Sequence, residues 1–65
     1  MTKAESIQAM KEGKKVTHFY FTPDEWATMK NGMIVLEDGV RCYPSEFWRW
    51  RQAPEFDNNW SLYIE

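Results

Sequence analysis

Residues 27–43 read ATMKNGMIVLEDGVRCY, and this stretch decides the fold because it contains two turn signals. Asn31-Gly32 and Asp38-Gly39 are dipeptides that two-residue type I′ turns prefer, since both central residues of such a turn need a positive φ. We predict that the two turns join three strands into an antiparallel meander. The strands are expected at 27–30, 33–37 and 40–43.

The register of the second hairpin follows from the length of its turn. With only Asp38 and Gly39 in the loop, the pairs are Ile34 beside Tyr43, Val35 beside Cys42 and Leu36 beside Arg41. Alternation then places Cys42 on an apolar face with Val35 and Val40. We expect its thiol to act there as a small buried hydrophobe.

Helices are predicted on both sides of the meander. Residues 2–12 begin with a capping box, Thr2 with Glu5, and carry an apolar stripe of Ala4, Ile7 and Met10. Ser45, after the strand-stopping Pro44, is expected to cap a second short helix. The other predicted elements are a strand at 14–21, a helical turn at 22–25 leading to Trp26, a second helix at 45–52, a polar loop at 53–59 and a last strand at 60–64.

These elements predict an α+β fold: a small bent antiparallel sheet with an N-terminal helix and a second short helix before the last strand. A chain of 65 residues has room for one domain, so we assign residues 1–65 to a single domain. Such a chain buries a small apolar area, and 17% of its residues are aromatic. We therefore expect it to form a homo-oligomer.

Composition excludes several functional classes. One cysteine cannot form an intrachain disulfide, and one histidine makes a zinc site improbable. The longest apolar runs are far below the roughly 20 residues of a membrane span, and no signal peptide is visible. A net charge of −2 argues against binding to long nucleic acids. We expect a cytoplasmic protein with no membrane partner.

The strongest binding signal is residues 47–51, Phe-Trp-Arg-Trp-Arg. We assign Phe47 and Trp50 to the core, Trp48 and Arg51 to a second helix face, and Arg49 to a third. A tryptophan beside an arginine suits a nucleobase with its phosphate, because the ring stacks and the guanidinium donates paired hydrogen bonds. The same pair is typical of a protein–protein hot spot. Sequence alone favours neither interpretation.

Catalysis is not indicated. His18 has no relay partner in a recognisable motif, and we interpret it as a hydrogen-bonded structural histidine. Asp24 and Glu25 are explained by a helix start. Since no nucleophile–base pair, metal cluster or phosphate loop is visible, we expect no enzyme activity, no catalytic residues, no metal site and no cofactor.

One family resemblance sharpens the functional expectation. Residues 7–16, Ile-Gln-Ala-Met-Lys-Glu-Gly-Lys-Lys-Val, are similar to the start of the Thoeris anti-defence sponge family, which also has a helix, Gly-Lys-Lys-Val and a strand. Residues 21–26, 37–39 and 47–51 resemble a related group of small phage proteins. In place of the family's tryptophan after Gly-Lys-Lys-Val, this chain has Phe19-Tyr20-Phe21.

The resemblance implies a phage counter-defence protein that binds a nucleotide immune signal without cleaving it, in the cytoplasm of an infected bacterial host. It implies a homo-oligomer and a small anionic ligand, a cyclic nucleotide or a cyclic ADP-ribose derivative. Its implied ligand-binding residues are Tyr20 and Trp48 for stacking, Arg41, Arg49 and Arg51 for phosphate, and Asn58 and Asn59 for base edges. The alternative is a phage inhibitor that binds a host defence protein directly, like an anti-CRISPR protein.

Overall fold

The computed structural model describes residues 1–64 and has one antiparallel sheet with two α-helices. The elements are α1 (Lys3–Lys11), β1 (Val16–His18), β2 (Ala27–Lys30), β3 (Met33–Leu36), β4 (Arg41–Cys42), α2 (Pro44–Arg49), a 3₁₀ helix (Pro54–Asp57) and β5 (Trp60–Leu62). The strand order is β4-β3-β2-β1-β5, and all neighbours are antiparallel. This confirms the predicted α+β class, with the short α2 preceding the last strand.

The first helix begins as predicted but buries a different stripe. Thr2 and Glu5 form the reciprocal capping box, with backbone-to-side-chain bonds of 2.8 and 3.1 Å. The buried residues are Ser6, Ala9 and Met10, whereas Ala4 is exposed. Ser6 tolerates burial because its hydroxyl donates to the carbonyl of Lys3 at 2.7 Å. The period-three stripe was therefore wrong at Ala4, and the i, i+3, i+4 spacing from Ser6 replaces it.

The first hairpin is the predicted two-residue turn. Asn31 and Gly32 both have positive φ, 53° and 78°, and Lys30 pairs with Met33 across the turn. Asparagine and glycine are the residues that reach this region at least cost.

The second hairpin differs from the prediction by one residue. Its loop has three residues, because the Leu36 N–H donates to the Val40 carbonyl and the Gly39 N–H donates to the Leu36 carbonyl. Only Gly39 in this loop has a positive φ, 85°, as in a type I turn followed by a glycine bulge. The observed pairs are Ile34 with Cys42 and Val35 with Arg41. The predicted register, and with it the placement of Cys42 on the face of Val35, was wrong.

Several predicted elements are shorter or shifted. The first strand covers only Val16–His18, and the chain turns back when the Phe21 N–H donates to the His18 carbonyl. Residues 22–25 form a single turn closed by a Glu25 N–H bond to the Thr22 carbonyl, and they do not continue into a helix. The second helix has Tyr43, not Ser45, as its N-cap residue, and Pro44 takes the first helical position. The loop at 53–59 contains the 3₁₀ helix.

The core lies on one face of the sheet. Paired residues of neighbouring strands point to the same face, so register assigns the two faces. The buried hydrophobic residues form one cluster: Ala9, Met10, Val16, Ala27, Ile34, Phe47 and Trp60. Since α1 and α2 both contribute to this cluster, both helices cover the inner face. Thr17, Thr28 and Val35 point to the outer face, where none of them is fully buried.

The arrangement of α2 corrects the assignment of its aromatics. Phe47 is buried, as predicted, but Trp50 is 81% exposed. The helix ends at Arg49, and Trp50 is already its C-cap residue. Trp48 packs against the core cluster in its place.

No helix within residues 1–64 is long and apolar enough to span a bilayer.

Candidate functional site

A buried histidine organises the aromatic end of the molecule. His18 ends β1, is 3% exposed and pairs with Trp60 of β5. Four rings surround its imidazole, and we call these five residues the His18 cluster. Their ring centroids lie at 4.5 Å for Phe56, 4.8 Å for Trp60, 5.4 Å for Tyr20 and 5.9 Å for Phe21.

Hydrogen bonds determine the state of the His18 ring. Nδ1 accepts from the Tyr20 backbone N–H at 3.0 Å. Nε2 lies 2.9 Å from the Glu55 carbonyl and 2.8 Å from the Asn58 carbonyl, both of which can only accept. The arrangement therefore requires the neutral tautomer with its proton on Nε2. His18 is the hydrogen-bonded histidine that the sequence predicts, and it ties the turn at 19–21 to the segment 54–59.

Tyr20 belongs to this cluster and is exposed, and we call it and the exposed residues Phe19, Asn58 and Asn59 the Tyr20 surface. Phe19 is 79% and Tyr20 is 57% exposed. The Phe19 N–H donates to the Asn59 carbonyl at 3.1 Å, and Asn59 has a positive φ of 70°. Three of the predicted ligand-binding residues, Tyr20, Asn58 and Asn59, are thus brought together through His18.

Arg51 borders the same region through Phe21. Its guanidinium carbon lies 4.0 Å from the Phe47 ring centroid and 5.6 Å from that of Phe21, which in turn contacts His18. Nη1 donates to the Phe47 carbonyl at 3.0 Å. Burial lowers the pKa of Arg51 from its ordinary value, but a guanidinium stays charged at neutral pH. Arg51 is therefore a cation held in a defined position beside the cluster.

Trp48 is engaged by its own chain. Its ring lies 5.4 Å from Trp60 and 4.9 Å from Phe47, and Lys3 Nζ lies 4.5 Å from its centroid. Trp48 and Arg51 are linked by a backbone bond of 3.0 Å, yet their side chains contact different partners. A ligand that stacks on Trp48 would have to compete with the Lys3 ammonium group.

The two remaining predicted residues lie apart from the Tyr20 surface. Arg41 is exposed on edge strand β4, which three strands separate from β5. Arg49 is exposed at the last position of α2. The structure therefore links Tyr20, Asn58 and Asn59 through hydrogen bonds of their backbone groups around β1. It places Arg51 over Phe21 of the His18 cluster. Arg41 and Arg49 lie on other elements, β4 and α2.

An open concavity of about 520 Å³ lies at the end of the β1–β5 ladder opposite His18, and no predicted site residue lines it. It is lined by Gly13, Lys14, Lys15, Leu62, Tyr63 and Ile64. Lys14 Nζ lies 3.2 Å from a Glu12 carboxylate oxygen, and Lys15 Nζ lies 4.3 Å from the Trp26 ring centroid. The available sequence signal is the pair Lys14-Lys15 immediately before a strand.

The surroundings of Cys42 and His18 define the chemistry of these two side chains. Burial raises the pKa of the Cys42 thiol, with Arg51 opposing that shift. Both nitrogens of His18 are occupied by backbone groups. Within residues 1–64 the structure groups no three His, Cys, Asp or Glu side chains in a way that could hold a metal ion. What this region offers a ligand is rings, amides and one cation.

Family models, curated proteins and solved structures were each compared with the chain, and none of the three comparisons gives a match.

Proposed function

We propose that the protein captures a small anionic nucleotide, of the cyclic nucleotide or cyclic ADP-ribose type, and holds it without cleaving it. The observation that carries the proposal is the Tyr20 surface, whose exposed rings and amide side chains adjoin the His18 cluster, while Arg51 lies over Phe21 of the same cluster. The biological role would be phage counter-defence by sequestration of an immune signal.

Each part of the Tyr20 surface suits one part of a nucleotide. A base that stacks on an exposed aromatic ring gains about 1–3 kcal/mol. Asn58 and Asn59 carry both donors and acceptors for base edges. Asn59 Nδ2 already donates to the Glu55 carbonyl at 3.4 Å, which leaves one N–H and the amide oxygen of Asn59 for a base. Arg51 can offer its remaining N–H groups to a phosphate, because only Nη1 is bonded to a backbone carbonyl.

The surroundings of His18 and Cys42 support ligand binding without catalysis. A histidine that acts as a general base must have a free ring nitrogen within reach of the proton it removes. His18 instead uses Nδ1 and Nε2 to hold Tyr20, Glu55 and Asn58 in place. The raised pKa of Cys42 disfavours the thiolate that a nucleophile needs.

Homo-oligomer formation is part of the proposal. Large apolar side chains remain exposed on this 65-residue chain, among them Ile64 at 82% and Trp50 at 81%. Apolar surface near Trp48 or Tyr63 is expected at the subunit contact, and the host cytoplasm is the expected compartment. Light scattering at micromolar concentration tests this, and a stable monomer of 7.8 kDa would contradict it.

A second candidate function is direct inhibition of a host defence protein. It is favoured by Trp50, which is exposed beside the exposed Arg49. Tryptophan and arginine are the residues most enriched at protein–protein hot spots. This function predicts binding to a protein target and no affinity for nucleotides.

One experiment separates the proposals. The protein is incubated with a panel of cyclic nucleotides and cyclic ADP-ribose derivatives, separated from free ligand, and heated to release what it holds. Mass spectrometry should find intact ligand. An altered product would mean an enzyme, and no retained ligand would favour the inhibitor.

Two matched tyrosines provide the control. Tyr20 is 57% exposed beside His18, and Tyr43 is 62% exposed at the start of α2. Tyr20→Ala should lose ligand retention, whereas Tyr43→Ala should keep it. Equal retention by both variants would remove Tyr20 from the site.

A further inference from the structure

The outer edge of β5 is covered along only part of its length. Met1 makes two hydrogen bonds to the backbone of Trp60. Its ammonium group donates to the Trp60 carbonyl at 2.6 Å, and its carbonyl accepts from the Trp60 N–H at 3.1 Å. This contact pairs Trp60 as a neighbouring strand would.

Register shows which way the next residues point. The Phe19 N–H donates to Asn59 and the Tyr63 N–H donates to Lys15, so residues 59, 61 and 63 direct their backbone groups towards β1. The backbone N–H and C=O groups of Trp60 and Leu62 point away from β1. Among residues 1–64, Met1 pairs with Trp60, but no bond to the outward N–H or C=O of Leu62 is found. The edge is open at Leu62.

The open edge borders the concavity described above. Leu62 is 43% exposed and Ile64 is 82% exposed, so apolar side chains accompany the open backbone groups. Lys14 and Lys15 line the same concavity. Glu12 takes one contact to Lys14 at 3.2 Å, and Lys15 lies over Trp26. Two cations therefore stand beside a strand edge and its apolar side chains.

We propose that the β5 edge at Leu62 accepts an extended peptide segment of a partner protein, with an acidic side chain directed to Lys14 and Lys15. An unpaired strand edge offers donors and acceptors at the spacing of another strand, which selects an extended backbone. The lysines select the charge of the segment. This site lies at the opposite end of the β1–β5 ladder from Tyr20 and does not depend on nucleotide capture.

Synthetic peptides test the backbone part of the proposal. The probe is a fluorescently labelled Thr-Val-Glu-Val-Thr-Val peptide, read by anisotropy. An extended peptide presents alternate N–H groups on its two edges. N-methylation of one alternate set should therefore abolish binding, and N-methylation of the other set should leave it. If N-methylation of each set abolished binding, or if N-methylation of neither set did, the proposed strand addition would be overturned.

Two substitutions at one position test the protein side. Leu62→Pro removes the outward N–H together with the leucine side chain and restricts φ, which an edge strand tolerates. Leu62→Ala also removes the side chain but keeps the N–H, so it is the matched control. Leu62→Pro should bind the probe about tenfold more weakly than Leu62→Ala, as expected for one lost hydrogen bond. Circular dichroism confirms that both variants fold. Equal affinities would place the peptide elsewhere.

The charge preference has its own controls. Lys15→Gln should weaken binding several-fold, whereas Lys30→Gln, outside the concavity, should leave it unchanged. Glu12→Gln should strengthen binding, because it releases Lys14. The peptide with lysine in place of glutamate should bind more weakly than the probe. The opposite order would overturn the acidic preference.

A second copy of the chain is the competing occupant of this edge, because Tyr63 beside it is one of the two residues expected at the subunit contact. The peptide proposal therefore requires the subunit contact to lie near Trp48. Sedimentation analysis of Leu62→Pro and Leu62→Ala separates the two cases. A dimer that is lost only in Leu62→Pro, together with no binding of the probe, would overturn the proposal in favour of self-pairing.

Discussion

The backbone N–H of Tyr20 donates to Nδ1 of His18 at 3.0 Å, so a buried histidine holds the backbone of an exposed tyrosine two residues later. The same ring reaches the carbonyls of Glu55 and Asn58 through Nε2. One side chain thus holds together two segments that are far apart in sequence, and both contribute to the proposed ligand surface.

Replacing His18 by alanine should destabilise the fold strongly. The variant loses ring packing and leaves the Tyr20 N–H and two carbonyls without their partner, which should cost about 2–4 kcal/mol. Urea unfolding followed by tryptophan fluorescence measures the loss. A midpoint equal to that of the parent would show that the ring does not organise these segments.

Gly39→Ala should destabilise the second hairpin by about 1 kcal/mol, since Gly39 has a φ of +85° and an added Cβ would meet no atom within 4 Å. The cost is backbone strain alone, so Gly39→Asn should cost less. Thermal or urea unfolding of the two variants gives the order. A larger loss for asparagine than for alanine would contradict the left-handed turn.

Arg51→Ala should lower stability by about 1–2 kcal/mol, because the guanidinium packs on Phe47 and bonds to its carbonyl. Arg49→Ala, at an exposed position, should change stability by less than about 0.5 kcal/mol. Urea unfolding of the two variants measures both changes.

For ligand binding, loss of a phosphate contact in Arg51→Ala should cost about 1.5–3 kcal/mol, which is more than the effect of Arg49→Ala. Calorimetry on folded variants tests this order, and equal, negligible effects would remove the helix from the site.

Cys42 should react slowly with alkylating agents at neutral pH. Burial raises the pKa of its thiol, and a raised pKa means that less of the reactive thiolate is present below that pKa. We expect a rate several-fold below that of glutathione, rising to the glutathione rate in urea. Mass spectrometry of timed samples measures both rates. A native rate above that of glutathione would show an activated cysteine.

Local rules predicted the elements of this fold well. The Thr2–Glu5 capping box, the Asn31-Gly32 turn and the burial of Phe47 all depend on neighbouring residues, and all are observed. Asp38-Gly39 failed as a two-residue turn, because a three-residue loop uses the same glycine with only one positive φ. That difference of one residue moved the whole β3–β4 register.

Tertiary relationships could not be predicted from spacing. Helical periodicity assigned Trp50 to the core, but the helix ends at Arg49, so the period does not apply to the next residue. The link from Tyr20 to Asn58 runs through His18 and depends on β1 pairing with β5, strands more than 40 residues apart. The open edge at Leu62 likewise follows from strand order, which the sequence pattern left undetermined.

Nuclear magnetic resonance of the ¹⁵N-labelled protein, titrated with the nucleotide that it retains, tests the central claim most directly. The backbone and side-chain amide signals of Tyr20, Asn58 and Asn59 should shift first and furthest, with Arg51 Nε among them. The signals of Lys14, Lys15 and Leu62 should shift no further than they do in a titration with inorganic phosphate. The account would be contradicted if only Lys14, Lys15 and Leu62 shifted, or if the signals of the Tyr20 surface did not shift.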